Sequence, residues 1–312
     1  MARPSTARRI GRLLVAPVVW YVSKIWKALD FFNVWRELDR VAAERRLAAT
    51  PRESRSDALL TAYVLGIVAV SLVLQETFGT GQFFDTAVDF IDNPGSPTQY
   101  PVLFFLVGWM KPESGLFRSW LYQTDYYELI VLCYWAAWRV FGFLVLPAIA
   151  AVAHPRLRRA SLGLSVEGMS SHLWIYGLLF IPVFIAVIIV SFFDEFQTYY
   201  PFYTRAHESL FRFAVWEAFY FAQFFSLEFF FRGFMIQPVR RHMGSSAIFA
   251  MMIPYVMIHI SKPLLECFAA ILAGIVLGTL SLRTRSIWSG FLIHVSVALS
   301  MDIASICQQW MR

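Results

Sequence analysis

Charge is scarce in this chain. Only 15% of its 312 residues are Asp, Glu, Lys or Arg, against about 25% in a soluble globular domain. Hydrophobic residues make up 58%, and the mean hydropathy is +0.56. This deficit excludes a water-soluble domain as the body of the protein. Cysteine is equally sparse: Cys133, Cys267 and Cys307 are scattered through apolar stretches. They lack the spacing of a disulfide framework or a metal site and read as packing residues. Internal repeats, low-complexity tracts and a second folded domain are also missing. The net charge of +6 does not indicate nucleic acid, because the basic residues concentrate in short segments beside apolar runs, as the positive-inside rule predicts for membrane proteins.

Apolar runs are what the chain has in quantity. A transmembrane helix needs about 20 mostly apolar residues to cross about 30 Å of hydrocarbon, and seven stretches qualify, giving an all-α, polytopic helical bundle. They begin near Ala58, Tyr127 and Leu173 and then run about Leu210–Ile236, Ser246–Ile260, Leu265–Leu282 and Ile287–Ile306. Leu13–Ala28 is interrupted by basic residues and Pro101–Met110 is too short to cross, so both read as interfacial or re-entrant. No small-residue cleavage site follows Val19, which argues against a secretory leader.

Charge asymmetry orients the spans. Residues 1–56 hold twelve Lys or Arg against five acids, whereas 76–100 hold Glu76, Asp85, Asp89 and Asp92 and no base. The N-terminus is therefore expected in the cytoplasm. The clusters at 154–159, at 240–242 and at Arg283 with Arg285 fall on the same side in a seven-span arrangement.

The last four spans contain the ionisable residues, and such a residue inside a bilayer is a functional hypothesis by default, since it costs roughly 2.5–3.5 kcal/mol to insert. Glu228 and Arg232 stand at i and i+4, one helical turn apart with the acid N-terminal, and are expected to pair. His259 and His294 lie on two other spans. A base for water and donors for an oxyanion are what amide hydrolysis requires, and two histidines near a Glu–Arg pair supply those types. Asp302 follows His294 by eight residues, on the same face about 12 Å further along. Glu266, just after Pro263, suits either a helix N-terminus or the chemistry. Glu217 reads as structural. Two His with carboxylates could hold zinc with an open position, but there is no HExxH and no fixed ligand spacing, so no metal or other cofactor is expected.

Three short patterns resemble the CPBP family of intramembrane proteases, also known as the CAAX-protease and bacteriocin-processing family. LEFFFRGF supplies Glu228, Arg232 and Gly233 of the family's first motif; Tyr255 and His259 match the second, an aromatic residue and His four apart; His294 matches the start of the third. Two positions depart. Leu227 stands where the family has the first of two glutamates, and Ala298 where it has Asn or Asp. The resemblance covers about 170–307 and implies a helical bundle with a polar cavity in the membrane. It also implies a protease cutting near the C-terminal or membrane-embedded end of its substrates, with water activated by the first Glu and the second-motif His.

The chain then divides into a basic N-terminal segment (1–56), scaffold spans (57–165) and a protease core (166–312). The expected chemistry has Glu228 and His259 as general base on a water, Arg232 fixing Glu228, and His294 stabilising the oxyanion, with Asp302 orienting it or Glu266 adding a second carboxylate. Expected partners are the lipid bilayer and a membrane-anchored or C-terminally tailed protein, not nucleic acid; the bacterial inner membrane is the expected location. Two other readings stay open: an inactive membrane scaffold or chaperone holding a client's tail, and a proton-coupled transporter, which intramembrane Glu, His and Asp would also suit.

Overall fold

The structure, a computed structural model, describes residues 17, 19–21, 23, 24, 30–93, 98–103, 116–167 and 169–311. The expected interfacial segments Leu13–Ala28 and Pro101–Met110 fall largely outside these residues. The described regular structure is entirely helical. An amphipathic helix α1 (Phe31–Ala48) leads into α2 (Pro51–Phe78) through a capping box. Thr50 accepts from the Glu53 amide, Glu53 returns to the Thr50 amide, and Pro51 occupies the first turn, where its missing N–H is harmless. Helices α3 (Gly81–Asp92) and α4 (Leu116–Gln123) follow. Then come α5 (Tyr127–Ala153), α6 (Met169–Val190), α7 (Leu210–Glu228), α8 (Ser246–Met257), α9 (Leu264–Thr284) and α10 (Trp288–Met311).

Five helices are long and apolar enough to cross a bilayer: α2, α5, Leu173–Val190 within α6, α9 and α10. The protein is an integral membrane protein. The two remaining expected spans exist as helices but miss one criterion each. Helix α7 carries Arg212, Glu217 and Glu228, and its charge dilutes the hydropathy. Helix α8 ends at Met257 after 12 residues, about 18 Å, short of the hydrocarbon thickness.

Helix α7 is the centre of the bundle. It packs against α5 and α10, and α6 pairs with α10 and α8 with α9. At Glu228 it passes directly into a π-helical turn, Phe229–Met235. A second π turn, Phe141–Val145, interrupts α5, and the two touch: Phe143 lies 4.8 Å from Phe230 and 5.6 Å from Phe231, ring to ring. Wide turns of this kind occur mostly as single insertions in α-helices, often at functional sites. Here Phe229, Phe230, Phe231 and Phe234 all enter the main core, together with Leu60, Val64 and Val68 of α2 and Ile248, Met251 and Tyr255 of α8. The aromatic run therefore anchors α7 on all sides and fixes how Glu228 and Arg232 point.

Candidate active site

Glu228 ends α7 and Arg232 sits in the π turn that follows, both with no solvent exposure. Arg232 Nη1 lies 3.1 Å from Glu228 Oε1, so the pair read from the i, i+4 spacing is formed. Its geometry is that of a charge contact: among the described residues no hydrogen-bond partner meets the Arg232 nitrogens or the Glu228 oxygens at a proper angle. The guanidinium instead lies over the face of Tyr255, 4.1 Å from the ring centre, a cation–π contact strengthened by desolvation.

His294, on α10, closes the cluster. Its Nδ1 is 2.7 Å from Glu228 Oε1 and its Nε2 is 3.0 Å from the Tyr255 hydroxyl. Phe224 stacks on the imidazole at 5.5 Å and 9°, and the His294 side chain keeps 15% exposure, so the site has a way out. His259 follows α8 one turn after Tyr255. Its Nδ1 is 2.7 Å from the Tyr255 carbonyl, which can only accept, so the proton is on Nδ1 and Nε2 carries the lone pair. The His259 ring stands 4.7 Å from that of Tyr255. The structure thus gathers Glu228, Arg232, His259 and His294 around Tyr255. It differs from expectation in the pairing: Glu228 contacts His294, and His259 is held by backbone.

Tyr255 carries three jobs with one side chain and one carbonyl, and the motif spacing flagged it only as an aromatic partner of His259. Gly290 is a second residue that the sequence did not flag. A Cβ there would lie 2.3 Å from Glu228 Oε2, because α10 passes against the carboxylate. A free glutamate would swing aside, but this one is enclosed and tied to two partners. Gly290→Ala is therefore expected to displace Glu228 and lower turnover about a hundredfold, the scale of a 1 Å misplacement, while the protein still inserts; a rate assay on the variant checks this.

Asp302 and Glu266 lie in a different cluster, toward the other end of α10 and α7. Asp302 is fully buried and accepts from the Phe202 amide at 3.3 Å and from Trp216 Nε1 at 3.2 Å. Glu217, read as structural, is 5% exposed beside it. Glu266 accepts from the Tyr200 hydroxyl at 2.8 Å and lies 3.9 Å from Lys262 Nζ. Lys262 is boxed by the rings of Tyr199, Phe202 and Tyr200 at 4.6, 4.8 and 5.5 Å, and burial pushes its ammonium below the ordinary lysine range. The contacts of Asp302 and Glu266 are thus with Phe202, Trp216, Tyr200 and Lys262. Neither meets Glu228 or His294, because two helical turns along α10 separate His294 from Asp302. Leu227 and Ala298, at the two departing positions, are 4% and 3% exposed and belong to apolar clusters. Among the described residues, no three of His, Cys, Asp and Glu converge as metal ligands.

A membrane-embedded helical bundle with a Glu–Arg–His–His cluster drawn from α7, its π turn, the turn after α8, and α10 defines the class. Residues 208–300 match the family model described as type II CAAX prenyl endopeptidase Rce1-like, and the three motifs that resemble the CPBP family of membrane proteases lie within that segment. The matched segment is shorter than the expected core, 166–312, and contains α7 through His294 and Ala298. Comparison with curated proteins and with solved structures gave no match.

Proposed function

We propose that this protein is an intramembrane endopeptidase that hydrolyses a peptide bond near the C-terminal or membrane-embedded end of a lipid-anchored or membrane-bound protein. One observation carries the reading: His259 is fixed with its lone pair on Nε2 beside a second histidine tied to a buried carboxylate. His259 Nε2 takes a proton from water as the water oxygen attacks the scissile carbonyl carbon. The Tyr255 hydroxyl, held by His294 Nε2 and through that ring by Glu228, turns to give its hydrogen bond to the developing oxyanion. His259 then returns the proton to the leaving nitrogen as the C–N bond breaks. Arg232 acts on Glu228, balancing its charge and setting its direction. No step uses a metal or any other cofactor. The basic segments beside the spans support an orientation with the N-terminus in the cytoplasm of a bacterial inner membrane, and the bilayer itself is the solvent for both enzyme and substrate.

The family's description makes a peptide ending in a prenylated Cys and three further residues the first substrate to offer. In proteoliposomes, wild type is expected to release the C-terminal tripeptide, and His259→Ala is not. Zinc chelation is expected to leave the rate unchanged, since no three donors among the described residues are placed to share a metal ion. Leu227, buried where the resemblance places the water-activating Glu, favours a second reading: an inactive scaffold that holds such a tail. Binding of the peptide with no release by wild type, at any membrane composition, would establish that reading instead.

A further inference from the structure

The basic ends of two membrane elements meet in a groove remote from Glu228. It encloses about 450 Å³ and is bordered by Arg240, Arg241 and Arg285 on one side and by Val34, Leu38 and Val41 of α1 on the other. Two acids also border it, but Asp30 accepts from Asn33 at 2.8 Å and Glu37 engages Arg40 at 2.6 Å. Arg240 donates to Gln237 at 2.8 Å, and among the described residues none of the three arginines lies within 4.0 Å of a carboxylate. Burial, with the charges of Arg285 and Arg241, pushes Arg240 below its ordinary value. Arg240, Arg241 and Arg285, with Arg283 beside them, thus share one groove whose two acids are engaged by Asn33 and Arg40.

The backbone points to the same place. Arg285 ends α9 in the left-handed conformation at φ 54°, and Asp30 precedes α1 at φ 39°. These are the two non-glycine residues with positive φ among the described residues, and both border this groove. A helix that ends in this conformation usually has glycine there; an arginine in its place keeps a cationic side chain at the rim against the backbone preference.

We propose that this groove binds the phosphate of an anionic phospholipid headgroup, with Arg240, Arg241 and Arg285 on the phosphate oxygens and the lipid stem along Val34, Leu38 and Val41. Guanidinium donors match phosphate geometry, and the apolar wall has no use for a free ion. The end of a spanning helix, α9, also sets the groove at headgroup depth. The assignment is independent of any proteolytic activity.

The test purifies the full chain from micelles holding equal phosphatidylcholine and phosphatidylglycerol and measures the co-purifying lipid by mass spectrometry. Wild type is expected to enrich phosphatidylglycerol. Removing the exposed Arg241 and Arg285, as Arg241→Gln and Arg285→Gln singly and together, should weaken the enrichment about fivefold per arginine. Inorganic phosphate at millimolar concentration should not displace the lipid. Equal retention of both lipids overturns the proposal, and so does unchanged enrichment in the double variant. Displacement by inorganic phosphate would mark a free-anion site and overturn the lipid assignment. Melting curves in phosphatidylcholine micelles serve as the folding control; should the double variant melt early, the Arg241→Gln result decides, because that side chain lies exposed on a short surface turn.

Discussion

Replacing Arg232 with methionine is expected to destabilise the folded protein by about 3–5 kcal/mol, because it strands the Glu228 carboxylate as an uncompensated buried charge. Both groups have no solvent exposure, so neither can turn to water for relief. The double variant Glu228→Gln, Arg232→Met should recover most of that loss, since removing both members of a buried pair is often close to neutral. Denaturant titration in one micelle type measures both. A single Arg232→Met variant as stable as wild type would show that Glu228 is already neutral, and the charge balance described for the cluster would be wrong. The double variant also separates structure from chemistry, since it is expected to be folded and inactive.

The second large effect is on rate. His259→Ala is expected to lower peptide release by about 10²–10⁴-fold, the range for loss of a positioned general base, with little change in stability because His259 is only partly buried and bonds one backbone carbonyl. Tyr255→Phe should cost less. It keeps the ring over Arg232 and the carbonyl that holds His259, and removes only the hydroxyl 3.0 Å from His294 Nε2. If Tyr255→Phe loses more rate than His259→Ala, the hydroxyl rather than His259 is the group that matters most.

Most of the fold is written in local patterns. Apolar runs mark the crossing helices, Thr50, Pro51 and Glu53 mark the start of α2, and the i, i+4 spacing marks the Glu228–Arg232 contact. The candidate site is legible as an inventory but not as a wiring diagram. Helical register says that His294 and Asp302 share a face of α10, yet it is the neighbours along that face that differ. Phe224 and Glu228 flank one, and Trp216 and Phe202 the other. Which histidine meets Glu228 is likewise decided by how α10 passes α7, a contact that Gly290 permits and that no spacing rule encodes. The π turn after Glu228 has no sequence signature; it arises where four phenylalanines must all be buried against α2, α5 and α8 at once. Tyr255 was visible as half of a motif, but its hydroxyl, ring and carbonyl act on three different elements, and only the assembled bundle brings those together.

The central claim is that the Glu228–His294–Tyr255–His259 cluster hydrolyses protein tails at the membrane. The most direct measurement compares protein C-termini by mass spectrometry in native membranes carrying wild type, Glu228→Gln, His259→Ala or His294→Ala at matched expression. The account predicts that the same uncut tails accumulate in all three variants and are absent with wild type. Identical C-termini in all four membranes, with only partner association or protein abundance changing, would contradict it.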